Sequence, residues 1–216
     1  MQNMKRLNLM CLSRNSHLLY IAAHMVVLVL ALSGCATVGG GDDDGSVSTP
    51  KSDDAWKDVP KPYVDGLKAA QKGRSKQAIM LFKQSTEDYP SFGPAYTNLG
   101  LQQLRLKDRP AAQASLKKSI EITPNNPVSY HHLGIIARLN GDFDSAQTMY
   151  RKAIEQNSDY AIVYLNLGIL LDLYLYELEP ALEQYEKYQS LQTKKDATVS
   201  KWIIEIKRRI ARNKKS

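Results

Sequence analysis

Several residue types are scarce in this sequence, and these shortages restrict the class of protein to which the chain can belong. It has two cysteines, two tryptophans and three phenylalanines in 216 residues. Two cysteines cannot form the disulfide framework on which small secreted domains depend. Apolar residues make up 43% of the chain and charged residues 24%, values close to the globular average. The composition therefore argues against wholesale disorder and against a protein with many membrane spans.

A large excess of one charge is also missing. The chain has 29 Lys and Arg against 22 Asp and Glu, a net charge of +7. Three of the basic residues and no acid lie before Cys35, so the rest carries 26 − 22 = +4. Such a mild excess does not suggest a nucleic-acid partner.

Long apolar runs are absent except for one near the N-terminus. Lys5, Arg6 and Arg14 precede an apolar run from Leu18 to Leu32 that only His24 interrupts. A membrane-spanning helix needs about 20 apolar residues, and this run is shorter. Basic residues, a short apolar run and then small residues are the layout of a secretory signal peptide. We therefore expect residues 1–34 to be removed.

The apolar run ends in Leu32-Ser33-Gly34-Cys35. This motif resembles the lipobox of bacterial lipoproteins, whose cysteine is acylated and becomes the first residue. The resemblance implies a lipid on Cys35, and the next residue, Ala36, is not the Asp that typically retains lipoproteins in the inner membrane. We therefore expect an outer-membrane lipid anchor with the folded part facing the periplasm. The alternative is an ordinary signal peptide followed by a coincidental cysteine.

Residues 35–58 are rich in Gly, Ser and Asp and have too little apolar surface to order themselves. They are predicted to be a flexible tether. A chain of this composition reaches about 5–6 Å × √n, on the order of 25–30 Å here. The folded part is therefore expected to stand clear of the bilayer.

The remainder of the chain is periodic. Leu-Gly pairs occur at 99–100, 133–134 and 167–168, each with a tyrosine three positions before the leucine, so the period is 133 − 99 = 34. A small residue and, four positions later, a large apolar one recur at Ala78 and Phe82, Ala112 and Leu116, and Ala146 and Tyr150. Such spacing places one apolar stripe on each of two successive helices. The two stripes are expected to meet in an antiparallel hairpin.

This pattern resembles the tetratricopeptide repeat (TPR). The resemblance implies an all-α solenoid of helix hairpins over residues 59–197, with repeats at 59–92, 93–126, 127–160 and 161–194. The terminal repeats deviate: Pro62 and Asp65 replace pattern residues in the first, and the fourth fits only with one extra residue around Tyr174–Glu179. Residues 198–216 form another amphipathic stripe, which predicts a capping helix with a basic tail.

Glycines recur at two kinds of position. Gly100, Gly134 and Gly168 are predicted to let the two helices of a hairpin approach closely, because each would otherwise cost about 1 kcal/mol of helix stability without benefit. Gly73 and Gly141 are predicted to form the turns between the helices.

In the TPR family the first helix of each repeat lines the inner surface of the solenoid, and this surface is the candidate partner-binding groove. Its predicted residues occupy repeat positions 6 and 9: Leu67, Asn98, Leu101, His132, Ile135, Asn166 and Ile169. The polar members are predicted to hydrogen-bond the backbone of a bound segment, and the apolar members to form the floor. Packing of the apolar members between neighbouring repeats is an equally good interpretation, and both stay open. The family's carboxylate clamp is not matched, because only its Asn at position 6 is present.

No catalytic or cofactor site is predicted. His131 and His132 are adjacent, so on a helix they diverge by about 100°, and no third histidine follows Cys35. A metal site is therefore not expected, and neither a Gly-rich phosphate loop nor a catalytic triad is present. The C-terminal basic run Lys207–Lys215 is either a solvated face or a contact for anionic lipid or glycan.

The sequence therefore predicts a non-enzymatic, membrane-anchored scaffold. Its partners are expected to be envelope proteins or a peptide segment in the groove. The architecture resembles that of pilotin-type lipoproteins, which implies a role in assembling an envelope complex such as a type IV pilus secretin. The alternatives are an accessory lipoprotein of a TonB/ExbB-type energy-transduction system and an adaptor that localises peptidoglycan hydrolases.

Overall fold

A computed structural model describes residues 58–215, which form one compact unit. Cys35, the predicted signal peptide and the tether up to residue 57 lie outside the described residues. The described range holds nine α-helices, one π-helical turn and no strand. The α-helices are α1 Lys61–Gln71, α2 Ser75–Asp88, α3 Gly93–Arg105, α4 Arg109–Ile122, α5 Pro127–Leu139, α6 Phe143–Gln156, α7 Ala161–Leu170, α8 Leu178–Leu191 and α9 Ala197–Asn213.

Consecutive helices pack as four hairpins, α1/α2, α3/α4, α5/α6 and α7/α8, and α9 packs on α8. The second and third hairpins begin at the predicted first residues of their repeats, Gly93 and Pro127. In the first three hairpins the second helix completely buries the two predicted stripe residues and the residue three positions after them: Ala78, Phe82 and Ser85; Ala112, Leu116 and Ser119; Ala146, Tyr150 and Ala153. The predicted all-α solenoid of helix hairpins with a C-terminal capping helix is confirmed.

The glycines of the Leu-Gly pairs are required by close packing within each hairpin. A Cβ added at Gly134 would lie 2.6 Å from the ring of Tyr150, and one at Gly168 would lie 2.6 Å from the ring of Tyr185. Carbon atoms in van der Waals contact are about 3.5–4.0 Å apart, so no side chain fits here. The predicted reason for these glycines is confirmed.

The turn inside each hairpin places one residue in the left-handed conformation. Gly73, Lys107 and Gly141 occupy the same repeat position and have φ values of 70°, 65° and 80°. In the fourth hairpin the same role falls to Tyr176, with φ 58°, one position later than the repeat period would place it. The extra residue of this repeat is therefore inserted before Tyr176. It is accommodated by the π-helical turn Leu171–Leu175, which continues α7.

The first hairpin begins two residues later than its predicted repeat. Pro60 precedes α1 and Pro62 lies in its first turn, where the missing N–H costs nothing. Tyr63 is 3% exposed and supplies the buried aromatic ring one position after the pattern's aromatic position. Its ring contacts Phe92 edge-on at a centroid distance of 4.9 Å.

The last helix, α9, starts at Ala197, one residue before the predicted boundary. The carboxylate of Asp196 caps it by accepting hydrogen bonds from the backbone N–H groups of Thr198 and Val199, at 2.7 and 3.1 Å. Val199 and Ile206 are fully buried against the fourth hairpin. Among the helices of residues 58–215, none combines the length and the apolar character needed to cross a bilayer.

Candidate partner-binding groove

The four apolar groove residues come from the first helices of four successive hairpins. Leu67 on α1 is 5% exposed and belongs to the core of the first hairpin. The other three, Leu101 on α3, Ile135 on α5 and Ile169 on α7, are half-buried. Ile135 and Ile169 also pack against the large core cluster of the C-terminal half. These two side chains are thus both anchored in the core and partly open to solvent.

The three polar groove residues hydrogen-bond within the solenoid. Each uses a side-chain nitrogen to contact the carbonyl oxygen four positions earlier in its helix: Asn98 to Pro94 at 3.1 Å, His132 to Val128 at 2.9 Å and Asn166 to Ile162 at 3.0 Å. The two asparagines also bridge to the preceding repeat. Asn98 donates to the hydroxyl of Tyr63 at 3.1 Å, and Asn166 donates to Nε2 of His131 at 3.0 Å.

These bonds change what the polar groove residues offer to a partner. A side-chain amide has two N–H donors, and both are used in Asn98 and in Asn166. What is left is the Oδ1 atom of each amide, an acceptor. The predicted contact with a bound backbone is therefore restricted to N–H groups of the partner, and Asn166, the more exposed of the two, is better placed to make it.

His131 holds the third and fourth hairpins together. It is 4% exposed, and its Nδ1 lies 3.3 Å from the hydroxyl of Tyr160. Because Asn166 donates to Nε2, that nitrogen carries the lone pair and the proton sits on Nδ1. Burial, together with the nearby His132 and Arg138, holds the pKa of His131 well below its usual value. His131 is therefore a neutral, structural histidine.

The C-terminal end of the groove face carries an ion pair. Asp172, in the π-helical turn, accepts a short hydrogen bond from Arg209 of α9. The side chains of Asp172 and Arg209 are 4% and 19% exposed. One repeat earlier, at the same repeat position, Arg138 is 8% exposed, donates to the Tyr150 hydroxyl at 3.4 Å and lies over the ring of Tyr174 at 5.9 Å.

Two depressions of the described surface lie away from these residues. Both lie within residues 58–215 on the first hairpin, are open to solvent and contain none of the seven groove residues. Within the same range, no group of three or more His, Cys, Asp or Glu side chains is placed to hold a metal ion. The candidate site is an open surface, which suits a protein segment better than a small molecule.

Two family models of the tetratricopeptide repeat match the chain, one at residues 93–126 and the other at residues 115–148. The chain contains tetratricopeptide repeats. The first match has the same bounds as the predicted second repeat, and neither model describes an enzyme. A search of curated proteins found no match.

Solved structures show the same TPR-like architecture. Two crystal structures of MamA are each 28% identical to this chain with a TM-score of 0.54; they cover 60% and 58% of this chain, and 70% and 73% of their own. A thermophilic TPR protein of Thermus thermophilus is 22% identical, with a TM-score of 0.55, and covers 70% of this chain and 82% of its own. TPR proteins are generally non-catalytic scaffolds that bind other proteins.

Sequence reasoning missed three functional features of these repeats. Tyr63 and His131, at repeat position 5, are the acceptors that tie Asn98 and Asn166 to the preceding hairpin. A search for polar pairs separated by one repeat plus one position would have found both. The pair of Asp172 with α9 carried no such signal, because nothing in the repeat pattern fixes the register of a helix that follows the last repeat.

Proposed function

We propose that this protein is a membrane-anchored TPR scaffold that binds an envelope protein on its groove face and supports assembly of an envelope complex, such as a type IV pilus secretin. The observation that carries the proposal is the row of half-buried apolar residues Leu101, Ile135 and Ile169 at one repeat position in three consecutive hairpins. Complete burial of such a side chain contributes about 1.5–3 kcal/mol, and a partner would complete it at three places.

The geometry favours a segment that brings both apolar side chains and backbone N–H groups. The apolar row offers no hydrogen bonds, and the neighbouring Oδ1 atom of Asn166 accepts but does not donate. An extended segment or a helix N-terminus presents unpaired N–H groups of the required kind. The membrane anchor and the outer-membrane location rest on the motif Leu32–Cys35 and on Ala36.

A site-specific photo-crosslink in living cells tests the groove. A photoreactive residue at Ile135 is expected to capture one envelope protein, whereas the same residue at Met80 is not. Met80 is the matched control because it is apolar and 71% exposed but lies on α2, a second helix of its hairpin. Equal capture at both positions, or at neither, would refute the groove.

The identity of the complex is tested separately. In a deletion strain the amount of assembled secretin multimer is expected to be reduced. The full-length protein is expected to restore it, and the Ile135→Asp variant is expected not to restore it. Normal secretin multimers in the deletion strain would rule out the secretin. Capture of a TonB/ExbB-type component or of a peptidoglycan hydrolase would instead favour the corresponding alternative.

A further inference from the structure

The charge of the protein is concentrated at its C-terminal end. Residues 194–216, named here the basic end, contain nine Lys and Arg and two acids, a net charge of 9 − 2 = +7. Residues 1–193 contain 29 − 9 = 20 basic and 22 − 2 = 20 acidic side chains and are neutral as a whole. The net charge of +7 therefore resides in the loop before α9, in α9 and in the residues that follow it.

Three of the five basic residues of α9 lie on the face opposite its buried side. Lys201, Arg208 and Arg212 fall within about 40° of one another, because successive helix residues are separated by about 100°. Val199 and Ile206, which pack on the fourth hairpin, lie on the other side. Ile204 lies beside the basic residues and is 52% exposed. The outer face is thus basic with one exposed apolar side chain.

Internal ion pairs do not neutralise this face. Glu205 contacts Arg208 at 3.8 Å and Arg212 at 3.2 Å, yet these two arginine side chains remain 71% and 69% exposed. Lys207 pairs with Glu186 at 2.7 Å and is 55% exposed. Five further lysines of the basic end are exposed and make no ion pair with another described residue: Lys194, Lys195, Lys201, Lys214 and Lys215.

We propose that the basic end docks the solenoid on an anionic phospholipid surface. Phosphate headgroups complement a dense row of exposed point charges, and an exposed isoleucine beside them can enter the interface. Six of the nine basic residues of the basic end are lysines, and they suit a diffuse surface of phosphates better than the fixed geometry of one acidic protein site. The proposal does not depend on a lipid at Cys35 or on a partner in the groove.

Vesicle binding by residues 42–216 tests the proposal without the predicted lipid site. This fragment contains every described residue and all three hydrophobic clusters, so it keeps the complete described core. We expect it to cosediment with vesicles of phosphatidylcholine and phosphatidylglycerol but not with pure phosphatidylcholine. Binding is expected to disappear at about 1 M salt, where the screening length is about 3 Å.

A matched pair of triple variants locates the contact. Lys201→Gln/Lys214→Gln/Lys215→Gln is expected to weaken binding by roughly a hundredfold, because each basic residue near an anionic surface contributes about fivefold. The control changes the same number of charges on the first hairpin, Lys68→Gln/Lys72→Gln/Lys76→Gln, and is expected to bind like the wild type. All of these lysines are exposed, so both variants should keep the wild-type circular dichroism and melting temperature.

Two results would overturn the proposal. Equal weakening by the two triple variants would show that only net charge matters and that the basic end is not a docking site. Absence of binding to the phosphatidylglycerol vesicles at low salt would show that the basic end is a solvated face or serves an acidic protein instead.

Discussion

The ion pair between Asp172 and Arg209 is expected to fasten the capping helix to the last hairpin. The change Asp172→Asn keeps the shape of the side chain and removes its charge. Breaking a buried pair by removing one partner costs about 3–5 kcal/mol. The side chain of Arg209 is 19% exposed, so its charge is partly solvated after the change. We therefore expect the free energy of unfolding to fall by about 2–3 kcal/mol, at or below the lower end of that range.

That loss is large compared with the usual total stability of about 5–15 kcal/mol. For a domain of this size 1 kcal/mol corresponds to about 2–4 °C, so the melting temperature is expected to fall by roughly 4–12 °C. Thermal unfolding followed by circular dichroism, and urea unfolding at fixed pH, measure both quantities. A double-mutant cycle with Arg209→Gln separates the pair from the other contacts of each residue.

The matched control is Glu121→Gln. Glu121 pairs with Lys118 at 3.0 Å, but the two side chains are 63% and 51% exposed, so the change should cost less than about 1 kcal/mol. If Asp172→Asn unfolds at the same urea concentration as the wild type, or if the cycle shows no coupling, the ion pair does not fasten α9. The burial of Val199 and Ile206 and the other contacts of α9 with α8 would then hold it.

Four further changes test other parts of the structure. Cys35→Ser should abolish acylation, and mass spectrometry of the wild-type N-terminal peptide with an unmodified Cys35 would contradict the lipid anchor. Ile135→Asp should lower stability by only about 1–2 kcal/mol because the side chain is half-buried, and should abolish partner binding; a folded variant that still binds would contradict the groove. Lys107→Gly should raise stability by up to about 1 kcal/mol, measured by urea unfolding, because Lys107 has φ 65°; a less stable variant would show that no strain is stored there. The pKa of His131 is lower in the folded chain than in the unfolded chain, so the stability that its neutral form contributes is present above the unfolded pKa of about 6.5 and is lost as the pH falls below it. The free energy of unfolding should fall by up to about 1.4 kcal/mol per pH unit in that range. His131→Gln should remove this part of the pH dependence, and an unchanged pH dependence would assign it to other groups.

The repeat period was sufficient to predict the hairpins because it records packing directly. Gly134 and Tyr150 lie on the two helices of one hairpin, and the absence of a side chain on the first makes room for the ring of the second. Such a constraint recurs in every repeat, so a single sequence displays it several times. The same holds for the left-handed turn at Gly73 and Gly141.

Features that depend on the neighbours of each hairpin were harder to predict. The apolar pattern at Leu67, Ile135 and Ile169 is the same in sequence, yet Leu67 is buried and the other two are half-buried. The repeat position specifies which face of the helix a residue occupies, and its exposure then depends on neighbours that differ between the first hairpin and the later ones. For the same reason, the repeat position of Asn98 does not by itself show that its side chain donates a hydrogen bond to Tyr63; only the spacing of 35 residues between the two points to it.

The π-helical turn Leu171–Leu175 has a consequence for how this solenoid tolerates changes in length. An extra residue in the middle of a helix would rotate every later side chain by about 100° and turn its apolar stripe away from the core. Here the insertion is absorbed within one turn, and Ala181 and Tyr185 of the following helix are as deeply buried as their counterparts in the other hairpins. The end of the first helix is therefore the place where a repeat can gain a residue while the neighbouring repeats keep their phase.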